Sequence, residues 1–430
     1  MSQLKIALLG LGTVGSGVVS IINQHQDKIK QMTGQEIVIK SALVKTPDKY
    51  KEEPAFNTIE ITNDISTILS DPEVTIVVEV MGTIDAAKDY ISRALTAGKH
   101  VVTANKDLMA VHGGQLEEIA KEHTVDLYYE ASVAGGIPIL RTIVNSFSSD
   151  MIQSVKGIVN GTTNYILTKM TEDNLSYQEA LIQAQEKGFA ESDPTSDVDG
   201  WDAARKMIIL ARLAFGMNIS LEEVSVQGIR GIDVNDIVRA KDLGYKIKLL
   251  GQARLIDEKA FLEVGPVLVP ETHLLASVSN ENNAVLINSA ALGETMFYGP
   301  GAGSLPTANS IVSDIIAVSK NIANNSCGKG FNSYHQPSIL AEDAIIYANY
   351  YLSLHLENRP DRLSALEQIM AEQEIAIEKA DQQLVENDIS QVVIVTQPVN
   401  KAQIKDLKAQ LEKEVDIELK TMYQIMDKEV

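Results

Sequence analysis

Four short runs of this chain combine residues that do chemistry with turns that would present them. Gly10-Leu11-Gly12-Thr13-Val14-Gly15 follows an apolar stretch and opens a helical pattern. In that setting Gly10 permits the tight turn, Gly12 lets the backbone approach a pyrophosphate, and Gly15 allows close packing of helix on strand. The N–H groups and partial positive charge at the start of the helix suit phosphates, so the run reads as a dinucleotide site. Thr103-Ala104-Asn105-Lys106 stands just after an expected parallel strand, at the carboxyl edge where ligands bind in such sheets. Asn160-Gly161-Thr162-Thr163-Asn164-Tyr165 follows another strand and begins a helix. From Gly188 to Lys206 runs a turn dense in acids, Glu191 and Asp197 among them, leading into a helix on which Asp202 and Lys206 share a face. Taken singly, each of the last three runs also looks like a helix cap or a surface salt bridge.

One further position bears on the dinucleotide. An acid at the end of the second strand would bind the ribose 2′-hydroxyl, and a base would neutralise a 2′-phosphate. Here Leu43-Val44 is followed by Lys45-Thr46-Pro47, and the next acid, Asp48, is already in the loop. Lys45 therefore favours NADP, with NAD left open; the plainer reading is a solvated lysine at the end of a strand.

The elements that must position these residues follow from periodicity. Lys5–Leu9, Ile37–Val44, Ile76–Val80, His100–Thr103 and Asp126–Tyr129 read as strands, with helices over Gly15–Gln26, Ile84–Ala97 and Gly113–Glu122. Such alternation implies a parallel sheet covered on both faces. Near Glu130 the texture changes to an α+β pattern, with a break at Gly135-Gly136-Ile137-Pro138, a strand Ile152–Asn160, helices Tyr177–Lys187 and Gly200–Phe215, and strands around Lys248–Pro270. Gly299-Pro300-Gly301-Ala302-Gly303 leads to a helix from near Pro306 to Ala323, expected to return to the first domain. Asn325–His335 reads as a linker, and beyond it a βαββαβ module is expected. The fold class is α/β: a Rossmann-type nucleotide-binding domain over 1–130 completed by the helix 305–324, an α+β substrate and dimerisation domain over 131–304, a linker over 325–346 and the βαββαβ module over 347–430.

Bulk properties bound the function. A chain of 430 residues with 45% hydrophobic content is globular and multidomain. A formal net charge of −21 argues against nucleic acid. The single cysteine, Cys327, excludes a disulfide framework and suits a reducing cytoplasm. No apolar run approaches the ~20 residues needed to cross a bilayer. Met1-Ser2-Gln3-Leu4-Lys5 enters a strand pattern at once, so no leader is expected.

As a set, the motifs resemble homoserine dehydrogenase along nearly the whole chain. The glycine turn, Glu79-Val80-Met81-Gly82, Thr103–Lys106, Glu130-Ala131-Ser132-Val133-Ala134-Gly135-Gly136-Ile137-Pro138, Asn160–Tyr165, Glu191–Lys206 and Gly299–Gly303 with Pro306-Thr307-Ala308 occur in the family's order. The resemblance implies reversible reduction of L-aspartate 4-semialdehyde to L-homoserine with NAD(P)H, on the route to threonine, methionine and isoleucine. It implies a cofactor site of Gly10, Leu11, Gly12, Thr13, Val14, Gly15, Lys45, Thr103, Lys106 and Gly301. Reduction of an aldehyde needs a hydride and a proton for the developing alkoxide, and a lysine supplies that proton when a second ammonium lowers its pKa. Lys106 and Lys206, brought together between domains, would form such a pair, with Asp202 in support; the sequence does not rank them. Glu191 and Asp197 would receive the substrate ammonium, and Thr162 with Gly161 its carboxylate. Glu130, through its carboxylate, and the carbonyls of Val133, Gly135 and Ile137 resemble the family's site for a monovalent cation such as sodium; an ordinary Gly-Pro hinge is the other reading. The C-terminal module looks like an ACT domain, but Asp361 stands where a glycine often lets an effector approach. A threonine effector and a role in assembly both stay open, and a homodimer or homotetramer is expected. The rival readings are another semialdehyde dehydrogenase or amino-acid reductase, and an NAD(P)H-binding redox sensor without turnover.

Overall fold

The computed structural model describes residues 3–50, 53–329, 331, 335–386 and 388–426. They form two compact units, one of Met1–Val155, Arg205–Val224 and Asn283–Pro337, the other of Lys156–Ala204, Ser225–Asn282 and Ser338–Val430. The cuts fall inside the strands Ile152–Ile158 and Asn282–Ser289 and the helix Trp201–Phe215.

In the first unit, six strands form a parallel sheet in the spatial order Glu60–Thr62, Glu36–Leu43, Gln3–Leu9, Val74–Glu79, His100–Thr103, Leu127–Tyr128. By chain order this is 3-2-1-4-5-6, with the switch point between Gln3–Leu9 and Val74–Glu79, where a doubly wound sheet opens a crevice at its carboxyl edge. Ile6, Leu8, Ile37, Ile39, Ile76, Val78 and Val102 are buried in one cluster with Val18, Val19 and Ile22 of the helix Thr13–Gln24. Ile311, Ile315 and Val318 of the helix Ser304–Ala323 join that cluster, so a segment almost 300 residues downstream covers the first helix. Gly17 allows the approach, since a Cβ there would come within 2.8 Å of Ser304 Oγ. The unit also carries the end of a second sheet, Gly293–Pro300 beside Asn282–Ser289 beside Ile152–Ile158.

In the second unit, Tyr245–Ile256 and Lys259–Pro270 form a long antiparallel hairpin. Its two-residue loop, Asp257-Glu258, takes positive φ at both positions, the geometry that matches strand twist. Lys259–Pro270 then pairs in parallel with Ile417–Ile425, through Val267 with Gln424 and Leu268 with Ile425. The sheet continues through Tyr347–Glu357, Ile389–Thr396 and Ile377–Glu386. With the helices Pro360–Glu372 and Lys401–Leu411, these strands are the βαββαβ module, cored by Leu352, Leu354, Leu366, Ile394, Ile404 and Leu407.

Several sequence expectations need correction. The helix expected over Gly113–Glu122 begins at Lys106, because the Asn105 side chain accepts the Leu108 N–H and caps it. The strands Asn282–Ser289, Gly293–Pro300 and Ile377–Glu386 were not expected, nor was the helix Val234–Asp242. Polar edge positions hide the last two strands from an apolar periodicity. Asn325–His335 is not a bare linker. The Gly328 N–H donates to Asp126 Oδ1, and Phe331 stacks on Tyr129 with ring centroids 4.7 Å apart. Residues 330 and 332–334 of that segment lie outside the described residues. Further on, Ile339 and Ala341 bond to the backbone of Ala260. The turn expected over Glu357–Asp361 ends early, since Pro360 already starts a helix.

Candidate active site

The glycine turn behaves as its residues dictate. Gly10 takes φ +109, and a Cβ there would lie 2.9 Å from the Val80 carbonyl oxygen, across the switch point. A Cβ on Gly15 would overlap the Gly10 carbonyl oxygen, whereas one on Gly12 would meet nothing within 4 Å. Gly12 thus faces open space, and it caps Thr13–Gln24 with no side chain to occupy the first N–H groups of that helix. In front of the turn lies a cavity of about 480 Å³ lined by Gly10, Leu11, Gly12, Lys45, Lys49, Thr83 and neighbouring side chains. Its shape and its free helix start fit a dinucleotide. Thr13, Val14, Gly15, Thr103, Lys106 and Gly301 do not line this cavity. Lys49 was missed in the sequence, although its spacing from Lys45 around Thr46-Pro47 was there to read.

The carboxyl edge is organised by a residue given no role beforehand, Glu79. It is fully buried and accepts Thr103 Oγ1–H at 2.6 Å and the Met81 N–H at 2.7 Å. Burial holds its carboxyl above the ordinary range against the pull of those donors. Thr103 Oγ1 in turn accepts the Asn105 N–H, and Asn105 Nδ2 donates to the Thr83 carbonyl. This chain of bonds fixes the start of the Lys106 helix. Lys106 itself is half-buried, with Nζ 3.6 Å from Asp107 Oδ2, and Arg205 Nε lies 3.3 Å from Asp107 Oδ1. Lys206 follows Arg205 and is half-buried too. Both lysines expected to lie between domains belong to the first compact unit.

In the second unit the amide of Asn160 gathers two of the expected carboxylates. Its Nδ2 donates to Asp197 Oδ1 at 2.7 Å and to Asp202 Oδ2 at 2.8 Å. Its Oδ1 caps the helix Gly161–Glu172 by accepting the Thr163 N–H. Thr162 Oγ1 lies 2.6 Å from the Phe189 carbonyl and 3.3 Å from Asp197 Oδ2. Asp202 is buried and Asp197 half-buried, while Glu191 is exposed on the same turn and takes Gln185 Nε2 on its main-chain carbonyl. Among the described residues no hydrogen bond draws the Glu191 carboxylate into the cluster. Asn160 was visible in the motif, but its part as the bridge was not.

A family described as homoserine dehydrogenase, NAD binding domain, matches residues 10–130, and one described as homoserine dehydrogenase matches residues 138–316. The chain is 46% identical to the homoserine dehydrogenase of Bacillus subtilis over 428 residues, which is 99% of each chain. It belongs to the homoserine dehydrogenase family. The homoserine dehydrogenase of Lactococcus lactis is 42% identical over 98% of this chain and 99% of its own. A crystal structure of a homoserine dehydrogenase from Thiobacillus denitrificans superposes with a TM-score of 0.94 at 33% identity, covering 99% of both chains. A hyperthermophilic archaeal homoserine dehydrogenase in complex with NADPH gives 0.63 at 27% identity over 74% of this chain and 98% of that one. The resemblance read from the motifs, the α/β fold class and the assignment as an oxidoreductase acting on a small molecule all hold, and the sensor without turnover is set aside.

Within this homoserine dehydrogenase the loop after Glu130 has a different use from the one its residues suggested. Glu130 is fully buried, and its carboxylate accepts the N–H groups of Leu140 and Arg141 at 2.8 and 2.7 Å and Arg141 Nε–H at 3.3 Å. It caps the helix Leu140–Ser146, and burial holds its carboxyl above the ordinary range. Those donors engage both of its oxygens at the start of that helix. The Gly135 carbonyl accepts Ser310 Oγ–H and the Ile137 carbonyl accepts the Ile139 N–H. Gly301 lies against the same loop: a Cβ on Gly135 would come within 2.5 Å of the Gly301 carbonyl oxygen. The Gly301 residue itself packs on Asn283, leaving no room for a side chain.

Among the described residues one group brings together three kinds of metal ligand, His100, Asp126 and Cys327. The Asp126 N–H donates to His100 Nδ1 at 3.0 Å, which places the ring proton on Nε2 in the neutral imidazole. The Asp126 carboxylate accepts Gly328 N–H and Asn321 Nδ2–H, and burial followed by the Asp126 charge pushes the Cys327 thiol up to about 11. The group is a hydrogen-bonded seam of the first unit rather than a metal centre.

Proposed function

We propose that the enzyme prefers NADP and reduces L-aspartate 4-semialdehyde reversibly to L-homoserine, with Lys106 and Lys206 as the proton-handling pair. The observation that carries the cofactor preference is the cavity in front of the glycine turn, where Lys45 and Lys49 stand on the lining and no acid does. A ribose 2′-phosphate there would be neutralised twice; a 2′-hydroxyl would find no carboxylate acceptor. When bound, the nicotinamide supplies hydride to the aldehyde carbon. The chain's own part is then to deliver a proton to the oxygen on which negative charge develops. Lys106, at the first position of a helix capped by Asn105, and Lys206, one turn after Asp202, are read as the groups that hold and give that proton. Asp197, Glu191, Thr162 and the backbone at Gly161 are read as binding the amino-acid end, the two carboxylates taking its ammonium. Val133, Gly135 and Ile137 would offer their backbone carbonyls to a monovalent cation.

The C-terminal module is read as ACT-like. Its turn is closed by Arg359, which donates to both oxygens of Asp361 at 3.1 and 2.8 Å and holds that carboxyl below its ordinary range. That closure favours assembly over a threonine effector. The exposed Leu384 and Val385 on the edge strand Ile377–Glu386, and Leu292 and Tyr298 by the edge strand Gly293–Pro300, are the surfaces read as joining copies into a dimer or tetramer. The single cysteine accords with a cytoplasmic home. Initial rates on aspartate semialdehyde test the reading. NADPH should give a kcat/KM at least tenfold above NADH, and the double variant Lys45→Ala/Lys49→Ala should erase that preference. A preference for NADH in the unaltered enzyme would overturn it, and a titration with millimolar threonine in the same assay decides the effector.

A further inference from the structure

Within the first unit, the stretch of one helix from Arg205 onward is joined to a second helix by an arrangement that neither the family motifs nor the cofactor explains. Arg205 and Arg212 are seven residues apart on the helix Trp201–Phe215, two turns along one face, and both reach the helix Lys106–Glu122. Arg212 Nη1 and Nη2 donate to the main-chain carbonyls of Met109 and Ala110 at 2.8 and 3.1 Å. Those carbonyls lie inside a helix, where side chains normally screen the backbone. Gly113 supplies the opening, because a Cβ there would overlap Arg212 Nη1. Two turns earlier, Arg205 Nε lies 3.3 Å from Asp107 Oδ1, and the other oxygen of Asp107 lies 3.6 Å from Lys106 Nζ. Asp107 is therefore shared between a guanidinium on one helix and an ammonium on its own.

We propose that Asp107 and Arg205 are positioning residues for the proton donor: a counter-charge pair that holds Lys106 in place and sets how readily it releases its proton. The proposal rests on the reading of Lys106 as a donor. An aspartate alone beside that lysine would hold its proton too firmly for transfer to an alkoxide. Arg205 offsets part of the negative charge, and the Arg212–Gly113 contact keeps the two helices in the register that makes the sharing possible. The charge next to Lys106 is Asp107 on its own helix, and Arg205 on the other helix pairs with that same aspartate. All three partners keep a quarter to a third of their side-chain surface in water, 31% for Lys106, 30% for Asp107 and 25% for Arg205, so the effect is moderated by solvent.

The pair makes a prediction of opposite signs. In the direction of aldehyde reduction, activity falls as rising pH strips the donor of its proton. In the full-length enzyme Asp107→Asn removes the anion that favours the charged lysine, and the alkaline limb of the kcat profile should move to lower pH by roughly half a unit. Arg205→Leu removes the opposing cation, and the limb should move to higher pH by roughly the same amount. Arg205→Lys should restore the unaltered profile, and the KM for NADPH should change less than twofold throughout. Limbs that move the same way in both variants, or do not move in either, would overturn the proposal, because a merely structural pair would lower kcat without opposite shifts. Lys106→Ala separates the two readings. Near-normal turnover in that variant would refute Lys106 as donor, whereas lost turnover with unmoved limbs refutes only the pair.

Discussion

At the scale of single residues, the glycines of the first turn have separable duties, and substitution should separate them. Gly12→Ala adds a methyl where nothing lies within 4 Å, so melting should change little while NADPH affinity drops at least tenfold. Gly15→Ala drives a methyl into the Gly10 carbonyl and should cost about 1–3 kcal/mol of stability as well. Thermal melts beside a fluorescence titration with NADPH would show the contrast; equal losses of stability in the two variants would contradict it. A second residue-scale prediction concerns Asp236, which burial pushes up to about 6, chiefly by desolvation. Its folded-state pKa lies above the unfolded value of about 4, so its contribution is fully present below pH ~4 and is lost as pH rises through about 6. Over that window the loss amounts to at most roughly 3 kcal/mol. Asp236→Asn should flatten the pH dependence of urea midpoints between pH 4 and 7, and an unchanged slope would show that the carboxyl is not what titrates. The residues proposed to bear the chemistry, Gly10 to Gly15, Lys45, Lys106, Asp197 and Asp202, were singled out from the sequence because their spacing sits on strand–turn–helix boundaries. Asn160, Glu79 and Asp107 could not be given roles, since their partners are more than a strand or a helix away in sequence or belong to a network with no periodic signature.

At the scale of elements, the start of the Lys106 helix is the most consequential difference between expectation and structure. The apolar pattern placed its start at Gly113. The chain instead runs straight through Gly113 and Gly114, because the Asn105 cap fixes the start and Arg212 covers the bare backbone at Gly113. Asn105→Ala should therefore cost about 1 kcal/mol through the lost cap and disturb Lys106 with it. We expect kcat to fall further than stability alone explains, measured as turnover at a temperature where the variant remains fully folded; unaffected turnover would show that the cap is only structural. The parallel sheet was legible because its strands are short apolar runs between helices. Ile377–Glu386 was not, because an exposed edge strand such as Ile377-Glu378-Lys379-Ala380-Asp381-Gln382-Gln383 has no buried face to make it alternate.

At the scale of the whole molecule, neither compact unit is a contiguous stretch of chain. The first needs the helix Ser304–Ala323 to cover Thr13–Gln24, and the second joins the hairpin Tyr245–Pro270 to the module through Ile417–Ile425. Gln252 Nε2 donates to Gln424 Oε1 at 2.6 Å, Tyr351 O–H to Asp236 at 3.4 Å, and Lys401 pairs with Glu263 beside that junction. Deleting residues 417–430 should consequently lower the melting transition of the dehydrogenase part too, not just remove the module; a truncated enzyme that melts like the full chain would contradict this. The strand that makes the junction lies almost 150 residues beyond the hairpin. During synthesis the hairpin at 245–270 emerges well before this partner; Glu263 and Val264 can pair at once with Ser225 and Val226, but the edge at Val267 and Leu268 must wait until that strand follows. Order of manufacture thus becomes a property of the fold: the hairpin's edge is completed only after the strands and helices that lie between have been made.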